Sequence, residues 1–156
     1  MIISGTGHRP SKIGGFKIPN NIFNYVCKTT EKILIKESPD KIITGMALGF
    51  DTYLAQISYK LGIPFIAAIP FIGQESIWPY PSKELYKDLL SKAFEVVVVS
   101  EGGYSPQKMQ VRNEFMVNRS DKVLACWDGS NGGTGNCVKY AESIGKEIIR
   151  IDPRQA

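Results

Sequence analysis

A single histidine, three cysteines and no CxxC spacing exclude several chemistries at the outset. One histidine cannot build a multi-histidine metal centre. Cys27, Cys126 and Cys137 are odd in number and sit in or beside apolar stretches, which argues against a disulfide framework or a structural zinc site. They read as reduced core thiols. No apolar run approaches the roughly 18 residues needed to cross a bilayer. The opening MIISGTGHRP lacks the basic and apolar regions of a signal peptide, so a cytoplasmic protein without membrane contact is expected. Dense basic clusters are missing as well: 19 Lys plus Arg against 15 Asp plus Glu leave a net charge of +4. That surface tolerates anionic partners but gives only weak support to nucleic-acid binding. No P-loop lysine follows the glycine-rich runs, and a Ser-His-Asp or Cys-His set would consume the sole histidine. ATPase and covalent hydrolytic chemistry are therefore disfavoured.

What is present is a regular alternation. At 156 residues the chain suits one domain. Short, continuous apolar runs recur at 1–4, 41–44, 65–70, 95–100, 122–127 and 147–151, the pattern of strands covered on both faces. Between most of them lie stretches of helical period: 20–36, 52–61, a segment capped by Ser82, 107–119 and 136–144. The β-α alternation predicts an α/β, Rossmann-like three-layer sandwich with a mostly parallel six-stranded sheet and right-handed crossovers. Residues 71–82 form the one long irregular connection, a length often used for a lid or binding loop.

In such sheets ligands gather outside the carboxyl ends of the strands, and the unusual residues of this chain follow strands. After the first run come Gly5, Thr6 and Gly7, read as a glycine-rich turn, then His8 and Arg9. Arg9 suits a phosphate or carboxylate, or is a plain surface arginine; His8 suits a hydrogen bond to ligand or to its own loop. After the second come Gly45, Met46, Gly49 and Asp51, the last either a helix cap or an acceptor for a ribose hydroxyl. Pro70, Phe71 and Gln74 follow the third, Ser100 and Tyr104 the fourth, and Arg112 and Asn113 stand on the helix entered from there. Trp78, Tyr80 and Tyr104 are candidates for stacking on a base, or for burial against the body. Arg119 and Asp121 read as pins between that helix and the next strand. The fifth run leads into DGSNGGTGN, with Asp128, Gly129, Gly132, Gly133, Thr134, Gly135 and Asn136. Missing side chains there bare peptide N–H groups at a helix start, which either cradle a phosphate or merely make a tight turn.

The blocks GTGHRP, TGMALGFD, VVVVSEGGYS and KMQVRNEFMVNRSDKVLACWDGSNGGTGNCVKYA, in that order, resemble the YpsA-like branch of the SLOG superfamily, which joins the Smf/DprA DNA-processing proteins to the Lonely Guy phosphoribohydrolases. The resemblance spans nearly the whole chain. It implies a Rossmann-like nucleotide-binding domain, self-associating as a dimer or tetramer, that cleaves nucleotide N-glycosidic bonds or senses nucleotide-derived ligands, with no separate cofactor. Phosphoribohydrolases of the superfamily carry an Arg-x-x-x-Met stretch and a GGxGTxxE loop. Arg112 and Met116 match the first, and Gly132, Gly133 and Gly135 the second; Asn136 stands at the threonine position and Lys139 at the glutamate position. A lysine would oppose the positive charge that develops in glycosidic cleavage. The expectation is therefore a binder or sensor of an ADP-ribose-like nucleotide. An N-glycosidase using Arg112 and Asp51, and a DprA-type DNA-binding accessory, stand as alternatives.

Overall fold

The computed structural model describes residues 1–156. Six strands, β1 (Ile2–Gly7), β2 (Lys41–Thr44), β3 (Phe65–Ile69), β4 (Glu95–Val98), β5 (Lys122–Cys126) and β6 (Glu147–Ile151), form one sheet. Every pairing is parallel, in the order β4-β3-β2-β1-β5-β6. Five helices connect them: α1 (Asn21–Glu37), α2 (Phe50–Lys60), α3 (Tyr80–Lys92), α4 (Pro106–Asn118) and α5 (Gly133–Ser143). The architecture is the three-layer α/β sandwich that the alternation predicts.

Strand side chains alternate between faces, so neighbouring residues serve different cores. Ile3, Ile42, Phe65 and Leu124 pack with Leu34 of α1, Phe50 and Leu54 of α2 and Leu89 of α3. On the other face Val123 packs with Val117 of α4 and Cys137 and Ala141 of α5, while Ile43 and Ala68 meet Met116. The chain runs outward from β1 to β4 on one face, returns through α4 across the other, and adds β5 on the far side of β1. Strand order therefore reverses between β1 and β5, and this is where the C-terminal ends leave a crevice.

Four boundaries differ from expectation, each for a local reason. β1 runs on through Gly7, which pairs with Cys126, so the first glycines lie in a strand and not in a turn. A Cβ on Gly5 would overlap Leu54, and one on Gly7 would sit 2.5 Å from the Cβ and ring atoms of Phe50. These glycines let α2 lie close against the central strand. Helix α2 starts two residues early at Phe50, capped by Gly49 at φ +90°. Helix α3 begins at Tyr80 behind Pro79, ahead of the expected Ser82 cap, because Pro81 suits a first turn that needs no donor there. Helix α5 begins at Gly133, three residues early, which makes the glycines its first turn.

Candidate functional site

A cleft of about 520 Å³ opens at the β1/β5 crevice. Only four of its 23 lining residues are hydrophobic, which suits a polar ligand. Three parts of the chain shape it.

The first is the start of α5. Its N-cap, Gly132, has φ 144°, a conformation open to glycine, and offers no side-chain cap. Asn136 makes the first helical bond, to the Gly132 carbonyl at 2.8 Å. The amides of Gly133, Thr134 and Gly135 consequently have no acceptor in the chain. No acidic side chain occupies this turn. A Cβ at Gly135 would stand 2.8 Å from the Ser130 carbonyl, whereas one at Gly133 meets nothing. The preceding turn is rigid: Trp127 Nε1 donates to the Ser130 carbonyl at 2.8 Å and Ser130 N–H donates to Asp128 Oδ1 at 2.9 Å.

The second is Arg112, only 5% exposed. Its Nη1 donates to the Gly45 carbonyl at 2.8 Å and, more weakly, to Ala68 at 3.5 Å, and its Nε donates to Asn113 Oδ1 at 3.1 Å. Nη2 has no partner in the chain, and the residue lines the cleft. Burial lowers the guanidinium's proton affinity against the opposing carboxylate of Asp51, yet arginine keeps its charge. Arg9 and Lys12 add two more cations to the lining, and Lys12 Nζ bridges to Ser130 Oγ at 2.7 Å.

The third is Asp51. It does not cap α2. Its Oδ2 accepts from the Ala47 amide at 3.2 Å, bracing the 45–49 loop, and its Oδ1 has no hydrogen-bond partner. Burial pushes this carboxyl up, against the pull of Arg112 and Arg9.

Gly5, Thr6, Gly7, His8, Arg9, Asp51, Tyr104, Arg112, Asn113, Gly132, Gly133, Thr134, Gly135 and Asn136 all line this cleft. The other expected contacts lie outside its lining, where they hold its walls. The Gly45 carbonyl takes both Arg112 and Gln74 Nε2 at 3.2 Å. Met46 is fully buried with φ 59°, and Gly49 packs against the His8 carbonyl. Pro70 accepts from the Ser100 amide, and Phe71 packs edge-on to Tyr104 at 6.2 Å. Gly129 lies beneath Arg150. The 71–82 connection is strapped down by Gln74, which donates to Tyr86 Oη at 3.3 Å, and by Trp78 against the Tyr86 ring, so neither it nor Tyr80 reaches the cleft. Asp121 ties to Ile2 of β1 through both its amide and its carboxylate, and Arg119 stacks on Phe115 within its own helix.

Ser11, Lys12, Ala47, Pro106, Met109, Gln110, Ser130 and Asn131 also line the cleft. Met109 stands one helical turn before Arg112 and Asn113, so helix phase alone could have found it. Lys12 meets Ser130 across 118 residues of sequence, and no local pattern announces that. Lys139 is exposed on α5 and outside the cleft, so it cannot act on a bound ligand there. Burial pushes the Cys27 and Cys137 thiols to about 11 and that of Cys126 to about 12, which keeps all three from being nucleophiles at neutral pH.

His8, 7% exposed, accepts the Asp128 amide on Nε2 at 3.0 Å, while Asp128 Oδ1 lies equally close. The amide contact requires a neutral ring. Burial lowers the proton affinity of His8 more than Asp128 raises it, so the neutral, accepting form is the folded one. A lowered folded value means stability is fully present above the unfolded value of about 6.5 and falls as pH drops below it, because the unfolded chain takes the proton first. Thermal midpoints measured from pH 7.5 to 5 should fall more steeply in the wild type than in His8→Gln, whose side-chain oxygen still accepts. Parallel curves would show that His8 makes no such contribution.

The comparisons with known proteins agree with this frame. The SPbeta prophage-derived protein YoqJ of Bacillus subtilis is 36% identical over 141 residues, covering 79% of this chain and 82% of YoqJ. The DNA processing protein DprA of Streptococcus pneumoniae superposes with a TM-score of 0.70 at 19% identity, over 96% of this chain; the chain spans half of that protein's length. The molybdenum cofactor binding protein of Rippkaea orientalis superposes at 0.61 with 19% identity, over 99% of this chain and 80% of its own. At these identities the two structures establish the fold alone. No helix is long and apolar enough to cross a membrane. Residues 3–154 match the model of the YspA SLOG family, so that the crevice between β1 and β5, with its bare helix start and buried arginine, is a feature of a chain that belongs to that family.

Proposed function

We propose that the cleft binds a nucleotide or nucleotide-derived, ADP-ribose-like ligand, and that the protein acts as a sensor or sequestering protein for it. The observation that carries this reading is the first turn of α5. Three unpartnered amides, at the positive end of a helix, share a cleft with Arg9, Lys12 and Nη2 of Arg112, and one buried carboxylate is the only acidic group among them. This arrangement suits phosphate. Tyr104, 70% exposed, together with Pro106 and Met109, supplies an apolar wall on which a base can rest.

Turnover is the second reading, because Asp51 lies in the same cleft as Arg112. Binding is favoured over it: no carboxylate in the first turn of α5 faces the ligand to stabilise a developing positive charge. Isothermal titration with ADP-ribose, ADP and AMP should give saturable binding, and chromatography should recover the ligand intact. Release of free base would replace the sensor by a glycosidase. Binding of single-stranded DNA with a steep salt dependence, and no response to nucleotides, would replace both. Self-association is supported by the edge strand β4, which leaves Val96 and Val98 more than 40% exposed.

A further inference from the structure

We infer that Asp51 selects ligands by a sugar hydroxyl, so that the cleft prefers ribosides over the corresponding deoxyribosides. The inference rests on the nucleotide reading above and assigns the chemistry of one subsite within it. Of all buried side-chain polar atoms in the chain, Asp51 Oδ1 is the one left without a hydrogen-bond partner. Its sister oxygen is engaged by the Ala47 amide, and the Thr44 hydroxyl donates to the Asp51 carbonyl, so the side chain is held in place with one acceptor to spare. Buried acceptors are satisfied in the great majority of native structures, and an exception in a cleft calls for a ligand donor.

The surroundings restrict what that donor is. Arg112 and Arg9 act electrostatically on the carboxylate, and Lys12 lines the same cleft, so an ammonium group would meet three cations. A neutral donor fits. Asp51 is 6% exposed and its Oδ1 is almost wholly covered, so only the slim end of a donor group, not the edge of a ring, suits it. A hydroxyl is slim enough. The amides of α5 and Nη2 of Arg112 hold the phosphate of the same molecule, so the donor belongs to a phosphorylated sugar.

The test compares ADP with 2′-deoxy-ADP, 3′-deoxy-ADP and inorganic pyrophosphate by titration calorimetry on the wild-type protein and on Asp51→Ala. Loss of either hydroxyl that reaches Oδ1 strands a buried acceptor and should weaken binding about 10- to 100-fold. Pyrophosphate should bind the wild type, and the discrimination between ADP and the affected deoxy analogue should vanish in Asp51→Ala. Equal affinity of wild type for ADP and both deoxy analogues, with pyrophosphate still bound, overturns the assignment of Asp51 and leaves the phosphate site standing. No binding of any of the four overturns both. The wild-type series decides the matter even if Asp51→Ala fails to fold.

Discussion

Gly133→Asp is expected to abolish phosphate-ligand binding while leaving the fold intact. A side chain added at Gly133 meets no atom of the protein, so the carboxylate projects into the cleft beside the unpartnered amides. There it does two things. It accepts those amides itself, and it repels an incoming phosphate. A unit charge pair at about 4 Å costs about 4 kcal/mol at the dielectric typical of a protein surface, and halving that for solvent screening still leaves roughly 2 kcal/mol. Together with the competition for donors, affinity should fall about 30- to 1000-fold. Stability should hold or rise slightly, since an acidic residue in a first helical turn contributes about 0.3–1 kcal/mol. Opposite movement of affinity and melting temperature is the signature. Gly133→Ala should change either quantity little. A Gly133→Asp protein that binds ADP-ribose like the wild type would remove the helix start from the site.

Gly7→Ala should act on stability instead. The added methyl would be 2.5 Å from the Cβ and ring of Phe50, a fully buried residue in the first turn of α2. Neither side can yield: β1 is held by β2 and β5 on its two edges, and the Phe50 amide donates to the His8 carbonyl at 3.2 Å. Overpacking of this kind costs about 1–3 kcal/mol and more where the backbone must move, so about 3 kcal/mol is expected, a drop of roughly 10 °C in melting temperature for a domain of this size. Phe50→Ala alone should cost about 3–5 kcal/mol through its cavity. The double variant should be much less unstable than the sum of the two, because the methyl then occupies part of the vacated space. Additive losses would show that Gly7 is required for some reason other than Phe50.

The two glycine clusters show how unevenly the sequence discloses its site. Both look alike in the chain, yet GTG lies inside the central strand and serves helix packing, whereas GGTG opens α5 and leaves amides bare. Glycine reports a missing side chain, not what fills the gap. The α5 start, Arg112, Asn113 and Tyr104 were legible because each follows a strand or sits at helical spacing. Pro70, Phe71, Gln74 and Ser100 also follow a strand, but they sit directly at the ends of β3 and β4, on the far side of β2 from the crevice, and buttress the loops around the cleft without lining it, whereas Tyr104 comes just before α4, which carries the chain back to the cleft. Position after a strand is a local property; nearness to the reversal point depends on strand order.

The sequence alone determined the six strands, five helices and layered α/β architecture, because short apolar runs and helical periods are set by which residues must leave water within a few positions of one another. The tertiary structure alone decided that Lys12 meets Ser130, that Arg112 reaches back to Gly45, and that one oxygen of Asp51 is left without a donor. Those relations join segments far apart in the chain, and their hydrogen bonds depend on sub-ångström placement that only the packed sheet and its helices impose.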